Sequence, residues 1–164
     1  MKKYDKFPAK VYVDTFLKPD LYIYKTIFKD ALFQINYAQC KMLKEQKIIS
    51  DEEANIIFKN LNEIENEFDF ENLEYNEKYE DLFFLIEKTL IDRIGVDVAG
   101  KLHTGRSRND MEHTMFRMEL RKCIISTIKD FFSLSEHLIK RSEKGTSEII
   151  LLYTHGQPAQ ASTL

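Results

Sequence analysis

The stretch from Ser107 to Lys144 constrains the fold of this chain most, because it contains no proline and no glycine over its whole length. Apolar residues recur in it at helical spacing in two sets: Met111, Met115, Met118, Ile125, Ile128, Phe132 and Ile139, and Phe116, Leu120, Ile124, Phe131, Leu134 and Leu138. The pattern predicts one helix about 55 Å long, at ~1.5 Å per residue. Its wide apolar arc needs partners. We expect either other chains in an oligomeric bundle or a longer polypeptide of which this chain is the front part.

Shorter helices are predicted ahead of the long one by the same spacing rule. They cover about 19–46, 51–68 and 79–94. Ser50 stands three residues before Glu53 in a capping-box pattern, and Gly95 suits the end of the third helix. The chain up to Pro19 and the acidic stretch between the second and third helices are expected to be irregular. Five Gly and three Pro leave little turn chemistry for many strands, so the predicted fold class is all-α.

Composition excludes several classes of protein. A net charge of -3 gives no general attraction to nucleic acid or to anionic membranes. Cys40 and Cys123 are too few and too far apart for a disulfide framework, which favours reduced thiols and a cytoplasmic location. No apolar segment follows the basic N-terminus as in a secretory signal. The longest run without Asp, Glu, Lys or Arg, at 149–164, is shorter than the ~20 apolar residues of a membrane span.

The polar segment GKLHTGRSRND leads into the long helix. Ser107 followed by Asp110 is an N-cap pattern. Arg106 and Arg108 are placed unfavourably there, because the partial positive charge of a helix N-terminus disfavours cations. A bound carboxylate or phosphate would compensate, with Gly105 allowing close backbone approach. The alternative is that both arginines point outward to surface acids. Nucleic acid is disfavoured because stacking aromatics and further basic residues are missing nearby.

A second polar cluster lies near the end of the chain, in the sequence YTHGQPAQ. Its Thr154, His155 and Gln157 can orient a small polar ligand, and histidine can exchange a proton near neutral pH. The alternative is a structural histidine in a polar turn, and His103 in the first cluster has the same two interpretations. No pair of His or Cys has the spacing of metal ligands.

The segments AGKLHTGRSRND and YTHGQPAQ resemble the first and second signature regions of the argininosuccinate lyase family, within the fumarase and aspartase superfamily. YEDLFFLIEKTLIDRIG is similar to the family's acidic pair and the Leu-rich helix that follows it. CKMLKEQKIIS is similar to an early segment of the family. The resemblance covers most of residues 20–164 and is most specific in the first segment.

This resemblance implies an all-helical enzyme without cofactor or metal. It implies an N-terminal helical domain at 1–106, and at 107–164 the start of a central helical-bundle domain with its first long helix. Family members are homotetramers in which three subunits contribute to each active site. Their reaction is a β-elimination that splits argininosuccinate into arginine and fumarate, so the expected partner is a small dicarboxylate substrate.

The resemblance also assigns roles to single residues. Ser107, Arg108 and Asn109 match substrate contacts, the last two on the dicarboxylate part of the substrate. Thr154 and His155 match the catalytic second region, where threonine binds a carboxylate and histidine assists proton transfer, and Gln157 matches a further contact. Less specific candidates are His103, Thr104, Arg106 and Asn36.

The sequence departs from the family pattern at several places. The third signature, which bears the serine taken as the catalytic base, is absent, so these residues are expected to be an inactive fragment that ends at ASTL where another long helix would begin. Asn36, Gln39 and Phe83 replace Ser, His and His, and 111–113 differ from the usual continuation. The alternatives are therefore a lyase acting on a different succinyl adduct, and a non-catalytic structural or interaction protein of the same fold.

Overall fold

A computed structural model describes residues 8–163 of the chain. The helices run α1 (Lys10–Tyr12), α2 (Lys18–Ile23), α3 (Lys29–Glu45), α4 (Asp51–Glu67), α5 (Leu82–Ile94), α6 (Val96–Ala99) and α7 (Arg108–Gly145). A 3₁₀ helix, Gly100–His103, precedes α7, and two strands, β1 (Ile149–Thr154) and β2 (Gln157–Thr163), follow it. The all-α prediction is confirmed for most of the chain, since the only sheet among the described residues is this small pair.

The first helical stretch begins earlier than the sequence predicted. The chain is helical from Lys10, because α1, α2 and α3 are joined by two π-helical segments, Val13–Leu17 and Tyr24–Phe28. Each π segment holds a threonine, Thr15 or Thr26, whose hydroxyl donates to the carbonyl four residues earlier. The prediction of an irregular chain up to Pro19 was wrong from Lys10 onward, since Pro19 is accepted at the start of α2. The part of this prediction that concerns residues 1–7 lies outside the described residues.

Caps define the next two helices. Ser50 and Glu53 form the predicted capping box of α4. The third predicted helix starts later than expected, at Leu82, because Asp81 is its N-cap and accepts the N–H of Phe84 at 3.0 Å. Gly95, with φ of 82°, ends α5 as predicted.

The described residues form two compact units with a boundary between Glu119 and Leu120. The domain boundary predicted from the sequence, at 106/107, coincides with the start of α7 and stays a prediction. The first unit contains the hydrophobic core, in which α3, α4 and α5 pack together. Leu102 of the 3₁₀ helix and Met111 and Met115 of α7 are buried in the same core, so the polar segment between them is fixed at both ends.

The second unit holds the remainder of α7 and the hairpin. All its described residues are exposed except Gly145 and Ile150. The strands pair antiparallel from Ile149↔Thr163 to Thr154↔Gln157, with an irregularity near Tyr153. The expectation that a helix begins at ASTL was wrong, because 161–163 belong to β2. No helix of the described residues has the length and apolarity to cross a membrane.

Candidate functional site

The polar segment between the 3₁₀ helix and α7 makes a tight turn onto the helix start. Gly105 adopts φ of 71°, a conformation that glycine permits. The N–H of Ser107 donates to Oδ2 of Asp110 at 2.8 Å, and the N–H of Asp110 donates to Oγ of Ser107 at 3.2 Å. This confirms the predicted N-cap. Hydrogen bonds from Ser107 lower the pKa of Asp110, so the reciprocal cap is anionic.

Arg108, the first residue of α7, lies among carboxylates. Its Nη1 is 3.2 Å from Asp81 Oδ2 and 3.3 Å from Glu80 Oε1, and its Nε is 3.2 Å from Glu112 Oε1. Its guanidinium also lies over the ring of Phe84, with 6.0 Å to the ring centroid. The sequence left open that the arginines pair with surface acids instead of binding an anion. Arg108 does pair with acids, but one of them, Asp81, is buried.

Two further groups complete the surroundings of Arg108. The hydroxyl of Tyr24 donates to Glu112 Oε1 at 2.9 Å, and burial together with this carboxylate raises the pKa of Tyr24 well above its usual value. Burial raises the pKa of Asp81, with the charge of Arg108 acting against it. Burial also raises the pKa of Asp20, to which Asp81 and Glu112 add repulsion. The cluster thus carries more carboxylates than cations.

Arg106 points in a different direction from Arg108. Its Nη2 donates to Asn36 Oδ1 at 2.6 Å, and its guanidinium lies over the ring of Phe83, 5.9 Å from the centroid. Its Nε and Nη1 are buried and have no acceptor among the described residues. Burial lowers the pKa of Arg106 to about 10, and the charge of Glu87 opposes this effect. Arg106 is therefore a desolvated cation and not a surface one.

The rest of the segment is also tied to the N-terminal helices. His103 Nδ1 lies 2.7 Å from Glu87 Oε1, and its ring meets Phe83 edge to face. Nε2 of Gln39 donates to the carbonyl of Thr104 at 2.8 Å, and Lys101 Nζ donates to Glu53 of the α4 cap. The side chains left exposed in this region belong to Thr104, Ser107, Asn109 and Asp110.

The second cluster forms the tip of the hairpin in the other unit. Thr154 ends β1 and Gln157 starts β2, and the two are paired across the turn. His155 and Gly156 make the turn with φ of 50° and 75°, the geometry of a two-residue hairpin loop. A non-glycine residue with positive φ is uncommon, so His155 stands at a strained and exposed position.

The structure thus gathers Asn36, His103, Thr104, Arg106, Ser107, Arg108 and Asn109 within the first unit, and Thr154, His155 and Gln157 within the second. The resemblance marked Glu80 and Asp81 as an acidic pair, but the sequence did not predict which acids pair with these residues. They are Glu80, Asp81, Glu87 and Glu112. The sequence did contain a pattern that predicts a structural role for Asp81, since this residue stands directly before an apolar helix in an N-cap position. No group of three His, Cys, Asp or Glu side chains within 8–163 is arranged to hold a metal ion.

Comparison with known proteins identifies the class. A family described as Lyase matches residues 14–164, and the chain belongs to this lyase family. Its relatives include argininosuccinate lyase 2 of Agrobacterium fabrum, which is 43% identical over 158 residues, or 96% of this chain and 31% of that protein. Argininosuccinate lyase of Methanosarcina acetivorans is 39% identical over 130 residues, or 79% of this chain and 26% of that protein.

A solved structure agrees with the family assignment. The crystal structure of EDDS lyase in complex with formate matches with a TM-score of 0.68 and 28% identity, over 94% of this chain and 30% of that one. The chain spans 26% to 31% of the length of these relatives. Its match to the argininosuccinate lyases supports the family resemblance seen in the two signature segments.

Proposed function

We propose that the protein carrying this chain is a carbon–nitrogen lyase that cleaves argininosuccinate into arginine and fumarate by β-elimination. The observation that carries the proposal is the capped turn Gly105–Asp110, which presents Ser107 and Asn109 to solvent at the start of α7. Argininosuccinate lyases among the relatives give the proposal its substrate. A cytoplasmic biosynthetic role goes with it.

The chemistry of the turn suits a dicarboxylate substrate. In a β-elimination, a proton leaves the carbon beside a carboxylate, and negative charge moves onto that carboxylate before the nitrogen departs. Preorganised donors stabilise such charge most when they are already aimed at the position it will occupy. Asn109 provides an amide, and the first free N–H groups of α7 add the partial positive charge of the helix end. The hydroxyl of Ser107 donates to Oδ2 of Asp110 at 2.8 Å, so it would bind the substrate by exchanging this hydrogen bond for one to a substrate carboxylate. The guanidinium of Arg108 lies beside these donors and would bind a substrate carboxylate in place of Glu80 or Glu112, the two more exposed carboxylates that hold it.

The hairpin tip supplies the second group of proposed residues. We assign carboxylate binding to Thr154, assistance in proton transfer or charge stabilisation to His155, and a further substrate contact to Gln157. The exposure of these side chains supports the proposal, because each is accessible to a ligand or to another subunit. The positive φ of His155 is the kind of local strain found at functional sites.

Assembly is part of the proposal. The residues of α7 from Leu120 to Lys144 are exposed along the whole length and include large apolar side chains, such as Phe131 and Phe132. Exposed apolar surface of this extent is typical of an interface. We propose a homotetramer built on α7, in which the two clusters of different subunits meet in one site. We also propose that these 164 residues alone do not turn over substrate.

The test is fumarate release, followed by ultraviolet absorbance, from the protein as its gene encodes it. Argininosuccinate is the expected substrate. A second candidate, a different succinyl adduct, is favoured by the likeness to EDDS lyase, so EDDS and adenylosuccinate belong in the same panel. Release from EDDS but not from argininosuccinate would overturn the substrate assignment. Release from none of the three would favour a non-catalytic structural or interaction protein.

A further inference from the structure

We propose that Arg106 is a positioning residue, whose buried guanidinium holds the turn that presents Ser107, Arg108 and Asn109 in one orientation without touching the substrate. The proposal rests on the function proposed above for these three residues. It assigns a different role to Arg106, and to its partner Asn36, from that of substrate contact.

The turn is held from α3 at two points. Asn36 accepts from Nη2 of Arg106 at 2.6 Å, and Gln39 donates to the carbonyl of Thr104 at 2.8 Å. Asn36 and Gln39 are three residues apart and therefore lie on one face of α3. Thr104 and Arg106 flank Gly105, whose positive φ makes the turn. One helix thus fixes both sides of the bend.

The fixed bend determines where the next residues lie. Ser107 follows Arg106 directly and is locked to Asp110 by the reciprocal cap. The ring of Phe83 in α5 lies under the guanidinium of Arg106, so a second helix limits its movement. A change at Arg106 would therefore be transmitted to Ser107 and to the first turn of α7 through short, hydrogen-bonded connections.

The space around Arg106 argues against direct contact with a dicarboxylate. The cavity beside it has a volume of about 10 Å³, and its lining includes Asn36, Phe83, Ile86, Leu90 and Leu102. A cavity of this size holds at most one water molecule. Most of the lining is apolar, and Nε and Nη1 of Arg106 are buried.

Stability alone does not account for an arginine at this position. A desolvated guanidinium whose Nε and Nη1 are buried without an acceptor in residues 8–163 is unfavourable, and burial lowers its pKa to about 10. Apolar residues of similar volume in place of a buried polar pair are often neutral or stabilising. Natural proteins keep residues that are locally unfavourable mainly at functional sites, where a fixed side-chain orientation outweighs the loss of stability.

The test replaces both partners, Arg106→Met with Asn36→Leu, in the protein as its gene encodes it, and compares the variant with wild type and with Arg93→Met. Arg93 is a matched control, since its ion pairs join α5 to Glu63 and Glu67 of α4 and involve no residue of the turn. We expect the double variant to lose about 10- to 100-fold in kcat, with a smaller change in KM and an unchanged melting temperature. Arg106→Lys, which keeps a donor for Asn36, should recover part of kcat.

Hydrogen exchange provides a readout that does not need activity. In the double variant, the amides of Ser107, Asp110 and Met111 should exchange at least ~10-fold faster, while those in the middle of α4 stay as protected as in wild type. Wild-type kcat in the double variant, unchanged exchange at these amides, or a fall in melting temperature matching the loss of kcat would each overturn the proposal. If wild type releases no fumarate from any adduct, the proposed function fails, and the exchange rates alone decide the role of Arg106.

Discussion

Nη1 of Arg108 lies 3.2 Å from Oδ2 of Asp81, a carboxylate whose side chain is 3% exposed, so a residue proposed to bind substrate is anchored to a buried acid. Asp81 is also the N-cap of α5. The start of α7 is therefore connected to the start of α5 through a single carboxylate. Glu80 contacts the same Nη1 at 3.3 Å, and Glu112 contacts Nε at 3.2 Å. The arginine is thus fixed in position before any ligand binds.

Two replacements of Arg108 should distinguish how much its positive charge and how much its planar shape contribute to kcat. Arg108→Ala removes the proposed carboxylate partner, and we expect kcat for fumarate release to fall by about 10²–10³-fold. Arg108→Lys keeps the charge but cannot hold several acids with a planar fork, so a smaller loss is expected. Sedimentation velocity should give the same assembly for all three proteins. Dissociation of the alanine variant would show instead that the residue serves assembly.

Substitution of Asp81 should change how the free energy of unfolding depends on pH, because the carboxyl group of Asp81 is buried. Because burial raises its pKa above 3.8, the folded protein binds this proton more tightly than the unfolded chain does. The contribution of Asp81 to the free energy of unfolding therefore falls as pH rises from about 4 through the raised pKa. Asp81→Asn removes this fall. We expect the stability of the variant relative to wild type to increase over that interval, measured by urea unfolding at several pH values.

Two comparisons make the Asp81 experiment specific. Asp92→Asn changes an exposed carboxylate on the same helix and is the control for the loss of a carboxylate from α5. Asp81→Ala loses the charge and also the cap that accepts from Phe84, so it should be less stable than Asp81→Asn by about 1 kcal/mol. Parallel profiles for Asp81→Asn and wild type would contradict the assignment of a buried, perturbed carboxyl.

Ser107 has a capping role and a proposed substrate role, and two substitutions distinguish them. Both Ser107→Gly and Ser107→Ala remove the hydroxyl that accepts from the N–H of Asp110 and donates to its carboxylate. Glycine at an N-cap costs only a few tenths of a kcal/mol and alanine about 1 kcal/mol, so thermal unfolding should rank alanine lower. If the hydroxyl contacts substrate, both variants should lose a similar share of kcat/KM. If kcat/KM instead falls more in the alanine variant than in the glycine variant, as stability does, Ser107 serves only as the helix cap.

Much of the fold follows from local rules that the sequence displays. Ser50 with Glu53, and Ser107 with Asp110, predicted two helix starts correctly, because a cap needs only residues three apart. The early start at Lys10 was missed because two prolines suggested irregular chain, whereas Pro19 follows a π-helical segment without breaking the helix. The hairpin was missed because its turn uses His155 in a conformation usually given to glycine or asparagine.

The site was less accessible to prediction than the fold. Candidate residues could be named from the two signature segments, but their partners are distant in sequence. Arg106 meets Asn36 across 70 positions, and Arg108 meets Asp81 of another helix. Such contacts arise from the packing of α3, α5 and α7 in the core, which no local pattern specifies. The distinction between a buried Arg106 and an acid-paired Arg108 therefore emerged only in three dimensions.

The exposed apolar residues of α7 lead to a prediction about assembly. Ile128 and Phe132 are one turn apart and are 48% and 73% exposed. The double variant Ile128→Glu, Phe132→Glu should dissociate into smaller species. An apolar interface offers no cation to pair with two buried carboxylates, so burying them is unfavourable. Sedimentation velocity measures the change, and circular dichroism should show retained helix. Lys129→Glu, an added acid on the same turn, is the control and should leave the assembly intact. If the double variant sediments as wild type does, this face of α7 lies outside the interface and another surface holds the subunits together.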